Sequence, residues 1–143
     1  MTFTKTEIAF LEHAELGRLA TIQPDGTPQN SPVGFRFNAA LGTVDISGHQ
    51  MARSRKFRNL ADNDRVAFVV DDVTSRDPWR VRCLEIRGTA TQAEADGAAI
   101  IRIRPRRVIS FGIDDQKTEP HQLVVHVRNV GAEQPAPQPL PPR

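Results

Sequence analysis

The chain has no tyrosine, one tryptophan and one cysteine among its 143 residues. Without tyrosine, no mechanism that turns on a phenol is open to it. A lone cysteine, Cys83, cannot close an internal disulfide, which suits a reducing compartment. It lies in the alternating stretch VRCLEIRG, with no histidine or aspartate close by in sequence to make it a nucleophile, and reads as a buried or half-buried structural thiol. No apolar run approaches the roughly 20 residues of a membrane helix. The opening stretch MTFTKTEIAFLEHAELGRLA carries acids and lacks the hydrophobic region of a signal peptide. The expectation is a cytoplasmic protein with no membrane partner. A dominant charge sign is missing too: 19 Lys and Arg face 17 Asp and Glu, a net charge of +2. That balance argues against a nucleic-acid partner read through a long phosphate backbone.

What is present is arginine. Sixteen of the 19 cations are Arg and three are Lys, and the planar guanidinium fork matches phosphate and carboxylate. A chain of this length is expected to form one domain that buries roughly two-thirds of its unfolded surface. Residues 1–130 are assigned to that domain. The segment 131–143, GAEQPAPQPLPPR, is proline-rich, offers no core residues and is expected to be a flexible tail.

Thr4-x-x-Glu7 fits a capping box, and Ile8, Leu11 and Ala14 follow at helical spacing, so a helix is expected from Thr4 to near Leu16. GRLATIQ then reads as a strand, PDG (Pro24 to Gly26) as a tight turn, and PQNSPVGFRF as a second strand. Pro28 and Pro32 mark that strand as an edge or as a ladder interrupted for a ligand. After the turn NAALG comes the strand TVDISGH, then a helix from Met51 to about Ala61 with Phe57 and Leu60 on one face. RVAFVVDD is expected in the middle of the sheet. A loop holding SRDPWR precedes the long alternating VRCLEIRGTATQAEA. AIIRIRPRRVISFGI supplies one or two strands around Pro105, and HQLVVHVRNV a last one. Strands and helices do not alternate regularly, which excludes a doubly wound parallel sheet. The fold class is mainly β (α+β): about six antiparallel strands with two short helices, in a closed or split barrel that removes sheet edges.

Chemistry-bearing motifs are scarce. GxGxxG, P-loop and HExxH patterns are absent. The four histidines, His13, His49, His121 and His126, are scattered and suggest no metal site. Asp71 and Asp72 with Asp77 offer a cation-site reading, set against the commoner one of acids that cap a loop at the end of a buried strand. No Ser-His-Asp or Cys-His set assembles, so the catalytic residues stay unassigned and any chemistry belongs to a borrowed cofactor.

The exception is RSRKFRN, residues 53–59, with four cations in seven positions: Arg53, Arg55, Lys56 and Arg58. One reading is a solvated helix face. The other is a phosphate pocket, in which a helix N-terminus presents free N–H groups and partial positive charge. Ser54, Arg55 and Lys56 would then add a hydroxyl, a fork and a point charge.

The segment SRKFRN, after a strand ending in small polar residues, resembles the phosphate-binding segment of the pyridoxamine 5′-phosphate oxidase-like split-barrel flavoproteins. GRLATIQPDGTPQNSPVGF looks like that fold's first hairpin. NDRVAFVVDD, DPWRVRCLEIRG and IRIRPRRVISFGI follow in the order of its deazaflavin-dependent branch. The resemblance covers about residues 4–114, with a weaker echo in VRNV. It implies a homodimeric oxidoreductase with sites at the subunit interface. The reduced cofactor, coenzyme F-420, would deliver a hydride to a small-molecule acceptor. It also implies that the ring lies against Gln29, Asn30, Ser31, Pro32 and Val33, with the phosphate held by Ser54, Arg55 and Lys56. Gly48 and His49 would lie on the ring-proximal phosphate side, where Gly48 permits close backbone approach. Three roles are open for Trp79: a lid over the cofactor, a dimer anchor or a core residue. FMN is the alternative cofactor, because both carry a phosphate on a ribityl-like arm. A cofactor-binding protein without turnover, or a barrel-shaped interaction module that binds no flavin, are the readings from other classes.

Overall fold

The computed structural model describes residues 2–114 and 122–131. The proposed tail from residue 132 on, and His121, lie outside the described residues. Helix α1 spans Lys5–His13. Its capping box forms as the sequence predicts: the Thr4 hydroxyl accepts from the Glu7 N–H at 3.2 Å, and the Glu7 carboxylate accepts from the Thr4 N–H at 2.8 Å. Ala14 closes the helix slightly earlier than expected. Among the described residues eight strands follow: β1 Leu16–Ile22, β2 Pro28–Gly34, β3 Arg36–Asn38, β4 Thr43–Ile46, β5 Arg65–Arg76, β6 Trp79–Ala95, β7 Ala98–Phe111 and β8 His126–Asn129. Helix α2, Arg55–Asp62, stands between β4 and β5. Among the described residues no helix is long and apolar enough to cross a membrane.

The strands pair antiparallel in the order β2-β1-β5-β6-β7-β4-β3, and β8 joins the other half of β7's edge. β2 and β3 lie at opposite ends of this order, yet Phe35 alone separates them in sequence. A one-residue link between the two outer strands makes the sheet curl into a split barrel. Phe35 fixes that corner by an edge-on contact with Phe68, their rings 5.1 Å apart. PQNSPVGFRF is therefore two strands rather than one. Its prolines sit on an outer strand as their missing N–H groups require.

Three further expectations change. SRDPWR is no loop: Asp77 and Pro78 make a tight turn that joins β5 directly to β6. AIIRIRPRRVISFGI is one strand, and it passes Pro105 by a bulge in which Arg106 is the extra residue between the pairs Gly88–Pro105 and Arg87–Arg107. Gly88 makes the bulge possible, since a Cβ there would sit 2.2 Å from the Arg104 carbonyl oxygen. Asp71 and Asp72 cap no loop. They lie inside β5 and pair with Arg18 and Arg82.

Alternation along the long strands sends Leu19, Phe68, Val70, Leu84, Ile86, Ile101, Ile103 and Val108 inward, where each is buried. Two buried ion pairs fasten the ends. Asp45 on β4 receives both forks of Arg102 at 3.1 Å, together with Thr43 and Asn38. Glu7 of α1 is gripped by Arg128 of β8, which also reaches the Thr2 carbonyl at 2.7 Å. In both carboxyls burial works to raise the pKa, but the hydrogen bonds from arginine and the neighbouring groups outweigh it and hold the group below its ordinary value.

Candidate functional site

The basic segment divides differently from its sequence reading. Met51–Arg53 forms a separate 3-10 turn, entered through Gln50 with a left-handed φ of 52°. The helix proper starts only at Arg55, with Ser54 as its N-cap. The Ser54 hydroxyl donates to the Met51 carbonyl at 2.6 Å and accepts from the Phe57 N–H at 3.4 Å. Its hydrogen is thus committed to the backbone. Ser54 shapes the N-terminus, and Arg55 and Lys56 occupy the first turn, where the unpaired N–H groups and the positive dipole end lie. Arg55 reaches across to the Gln23 side chain at 3.1 Å. Among the described residues none of Arg53, Arg55, Lys56 or Arg58 is in an ion pair. Four cations gathered with no carboxylate at ion-pairing distance among the described residues leave positive charge for an anion to neutralise.

Phe57 and Leu60 pack into the core, as expected. Sequence reasoning missed Asn59, which is 3% exposed. Its amide nitrogen donates to the Thr21 hydroxyl at 3.0 Å and to the Gln29 side chain at 3.1 Å. One side chain thereby ties α2 to β1 and β2 together. On β6, Gln92 donates to the Phe57 carbonyl at 3.0 Å and holds the helix from the other side. The signal in sequence was faint: an asparagine, a poor helix former, directly before the core residue Leu60.

The ring-binding candidates on β2 split by strand alternation. Gln29, Ser31 and Val33 turn inward, Val33 into the core and Gln29 to Asn59. Pro28, Asn30 and Pro32 turn outward. Asn30 stands opposite Ala20, and Pro32 opposite Arg18. Only Asn30 and Pro32 of the five predicted residues can face a ligand on the outer sheet surface. Gly48 and His49 are exposed in the link from β4 to the 3-10 turn. A Cβ at Gly48 would meet only the Met51 methyl at 3.4 Å, so nothing within this chain demands glycine there. Trp79 is 53% exposed at the far end of the β5–β6 hairpin, which removes the core reading. It stands 13 residues from Gln92 along β6, roughly 40 Å of strand contour. Within one chain it does not join the α2 cluster.

The outer face of β1, β5 and β6 opens into a groove of about 460 Å³. Ala20, Ile22, Pro28 and Ala67 give it an apolar floor, and its wall, to which Arg65, Arg87 and Arg106 also contribute, is almost wholly apolar. Among the described residues no acid, histidine or cysteine lines it. Cys83 lies further along β6, half-buried. Burial first, then Asp71 and Glu85, pushes its thiol up to about 11. It is a thiol at neutral pH, consistent with a structural role. Among the described residues no His, Cys, Asp or Glu cluster of metal-binding form occurs.

These residues fit a phosphate-bearing, flat-ringed cofactor. Cations without ion-pair partners and helix N–H groups stand at the first turn of α2, and an outward strand with an exposed amide, Asn30, runs beside an apolar groove. The comparisons agree with the architecture. The family model for pyridoxamine 5′-phosphate oxidase matches residues 3–132, and the chain belongs to that family. A 5a,11a-dehydrotetracycline/5a,11a-dehydrooxytetracycline reductase of Streptomyces rimosus is 45% identical over 141 residues, covering 93% of this chain and 96% of the relative. The chain is an oxidoreductase of this split-barrel family. Among solved structures, an F-420 reductase superposes with a TM-score of 0.53 at 27% identity, covering 68% of this chain and 90% of its own. A conserved hypothetical protein of Mycobacterium tuberculosis superposes with a TM-score of 0.63 at 24% identity, covering 76% and 84%, a likeness of fold alone.

Proposed function

We propose that this protein is a coenzyme F-420-dependent reductase that acts on an electron-poor double bond in a fused-ring small molecule. The observation that carries it is the first turn of α2, where Arg55 and Lys56 stand without an ion-pair partner among the described residues. The 45% identity to a dehydrotetracycline reductase favours the acceptor class, and the F-420 reductase neighbour favours the cofactor over FMN. When bound, the reduced deazaflavin supplies a hydride. In this reading Arg55 and Lys56 hold the phosphate, Ser54 fixes the helix end, and Asn30 and Pro32 orient the ring. Among the described residues no acid, histidine or cysteine lines the groove, and in this reading the proton comes from solvent or from a donor outside that lining.

The functional unit in this reading is a cytoplasmic homodimer. Alternation places Val73, Trp79, Val81, Cys83, Ile109 and Val127 on the outward side of β5–β8, and Val73, Trp79 and Val127 are exposed. A second copy covering this face would bury them. It would also bring its own hairpin end with Trp79 toward the site.

Titrating the protein with F-420 and FMN by fluorescence quenching tests the reading. F-420 is expected to bind more tightly, and equal or tighter FMN binding rejects it. Lys56→Ala and Arg55→Ala should each weaken binding about tenfold to a hundredfold with unchanged melting, and by less at high salt. Arg58 stands one turn below Arg55 on the same side, so Arg58→Ala should show a smaller loss. Arg36→Ala, on β3, is the control. Equal affinities across the set would reduce the cluster to a solvated face.

A further inference from the structure

Arginines in this fold are held in two ways. Arg18, Arg82, Arg87, Arg102 and Arg128 each meet a carboxylate, from Asp71, Asp72, Glu85, Asp45 and Glu7 in turn. Helix α2 is fastened to the sheet by uncharged groups instead. Asn59 donates to Thr21 and Gln29, Gln92 donates to the Phe57 carbonyl, and Arg55 donates to the Gln23 side-chain oxygen at 3.1 Å. The turn between β1 and β2 places that oxygen. The Gln23 N–H donates to the Thr27 carbonyl and the Gly26 N–H donates to the Gln23 carbonyl, each at 2.8 Å, so the Gln23 backbone is held on both sides. An acid, Asp25, stands two residues away. Its carboxylate accepts from the Thr27 N–H at 2.9 Å and makes no ion pair with Arg55 among the described residues. The bonds from Thr27 come first among the causes that hold the Asp25 carboxyl below its ordinary value, and Arg55 comes last. A neutral amide therefore takes the contact with Arg55, and the nearby carboxylate is engaged by its own turn.

We propose that Gln23 is a positioning residue for the cofactor phosphate: it fixes the Arg55 fork against the β1–β2 turn and, being neutral, leaves the charge of that fork to the ligand. This rests on the reading of Arg55 and Lys56 as the pair that holds the phosphate. One guanidinium nitrogen is spent on Gln23, and the remaining N–H groups of the fork are left for an anion. Holding a long, exposed side chain in place beforehand removes part of the ordering cost that binding would otherwise carry. A carboxylate in the place of the amide would hold Arg55 equally well but would neutralise it and repel the phosphate.

Two substitutions separate holding from charge, each measured on the full chain by fluorescence quenching with coenzyme F-420. Gln23→Met keeps the length and removes the amide acceptor, and it should weaken binding about threefold. Gln23→Glu keeps an acceptor and adds charge, and it should weaken binding about tenfold. Melting temperatures should stay unchanged in both, since the contact is exposed. With Arg55 neutralised, Gln23→Glu should also show a shallower fall of affinity with salt than the wild type, which a purely structural role would not produce. In an Arg55→Ala background, Gln23→Met should be silent, because its effect passes through Arg55. A Gln23→Met loss that persists undiminished in that background overturns the positioning role. Wild-type affinity in Gln23→Glu overturns the claim that neutrality matters. If Arg55→Ala and Lys56→Ala weaken binding while both Gln23 variants bind as the wild type does, this proposal alone fails. If Arg55→Ala and Lys56→Ala leave binding unchanged, the phosphate reading fails and Gln23 falls with it.

Discussion

Asn59 supports a prediction that reaches both stability and function. Its amide donates two hydrogen bonds in a place closed to water, to Thr21, itself 1% exposed, and to Gln29. Asn59→Leu keeps the volume and removes both donors. Each lost hydrogen bond costs about 0.5–1.5 kcal/mol, and a buried group left unpaired costs about 1–3. The Gln29 amide has some access to solvent and recovers part of its share. The expected loss is about 2 kcal/mol, a drop in melting temperature of about 6–8 °C for a domain of this size. The helix that bears Arg55 and Lys56 is also released from β1 and β2, so cofactor affinity should fall although Asn59 itself is buried beneath the helix. Urea denaturation of Asn59→Leu, Thr21→Val and the double variant isolates the bond between them. The coupling should be about 1 kcal/mol. Strict additivity, or a destabilisation under about 0.5 kcal/mol, would refute the claim that Asn59 ties the helix to the strands.

Removing Arg128 leaves Glu7 buried and unpaired. Arg128→Met should cost about 2 kcal/mol at pH 7, less than a fully buried pair because Arg128 is partly solvated. In the wild type the Glu7 carboxyl is held below its ordinary 4.5, so its stabilisation is complete above that pH and fades as pH falls below it. Without the arginine, burial dominates and raises the carboxyl above 4.5, so the variant gains stability as pH falls toward 4.5 while the wild type loses it below 4.5, and the gap between them should narrow from pH 7 to pH 4; parallel urea curves at those two pH values decide this, and an unchanged difference refutes it. For Cys83, a thiol raised to about 11 from an ordinary 9.0 should be alkylated slowly by iodoacetamide at pH 8. Its raised value favours the protonated native state, so stability is full below pH 9 and declines between pH 9 and 11; fast alkylation at pH 8 in the folded protein would contradict the burial argument. Gly88→Ala would drive a methyl against the Arg104 carbonyl, and it should lower the melting temperature more than Gly34→Ala, where a Cβ meets nothing; equal losses would show that the bulge gives way.

Local signals settled a good part of the molecule. The Thr4–Glu7 capping box, the Pro24–Gly26 turn, the central strand RVAFVVDD and the edge character of β2 all follow from contacts within a few residues or from strict alternation. Such features are fixed by short-range sterics and by which face is apolar. The clustering of cations before Phe57 was legible for the same reason. The register of β7 against β6 was not, because the bulge at Pro105 depends on Gly88, 17 positions away in sequence and opposite only once the sheet forms. Nor was the division of 51–62 into a 3-10 turn and a helix, which rests on the Ser54 hydroxyl choosing the Met51 carbonyl. Asn59 meets Thr21 and Gln29 across 38 and 30 residues, and Arg65 meets Ala20 and Arg106 in one groove only through the pairing of β1, β5, β6 and β7. Sequence fixes which face each residue takes on its own strand or helix. Closure of the barrel decides which of those faces meet, because long-range pairing is set by the burial of the whole sheet and not by any one segment.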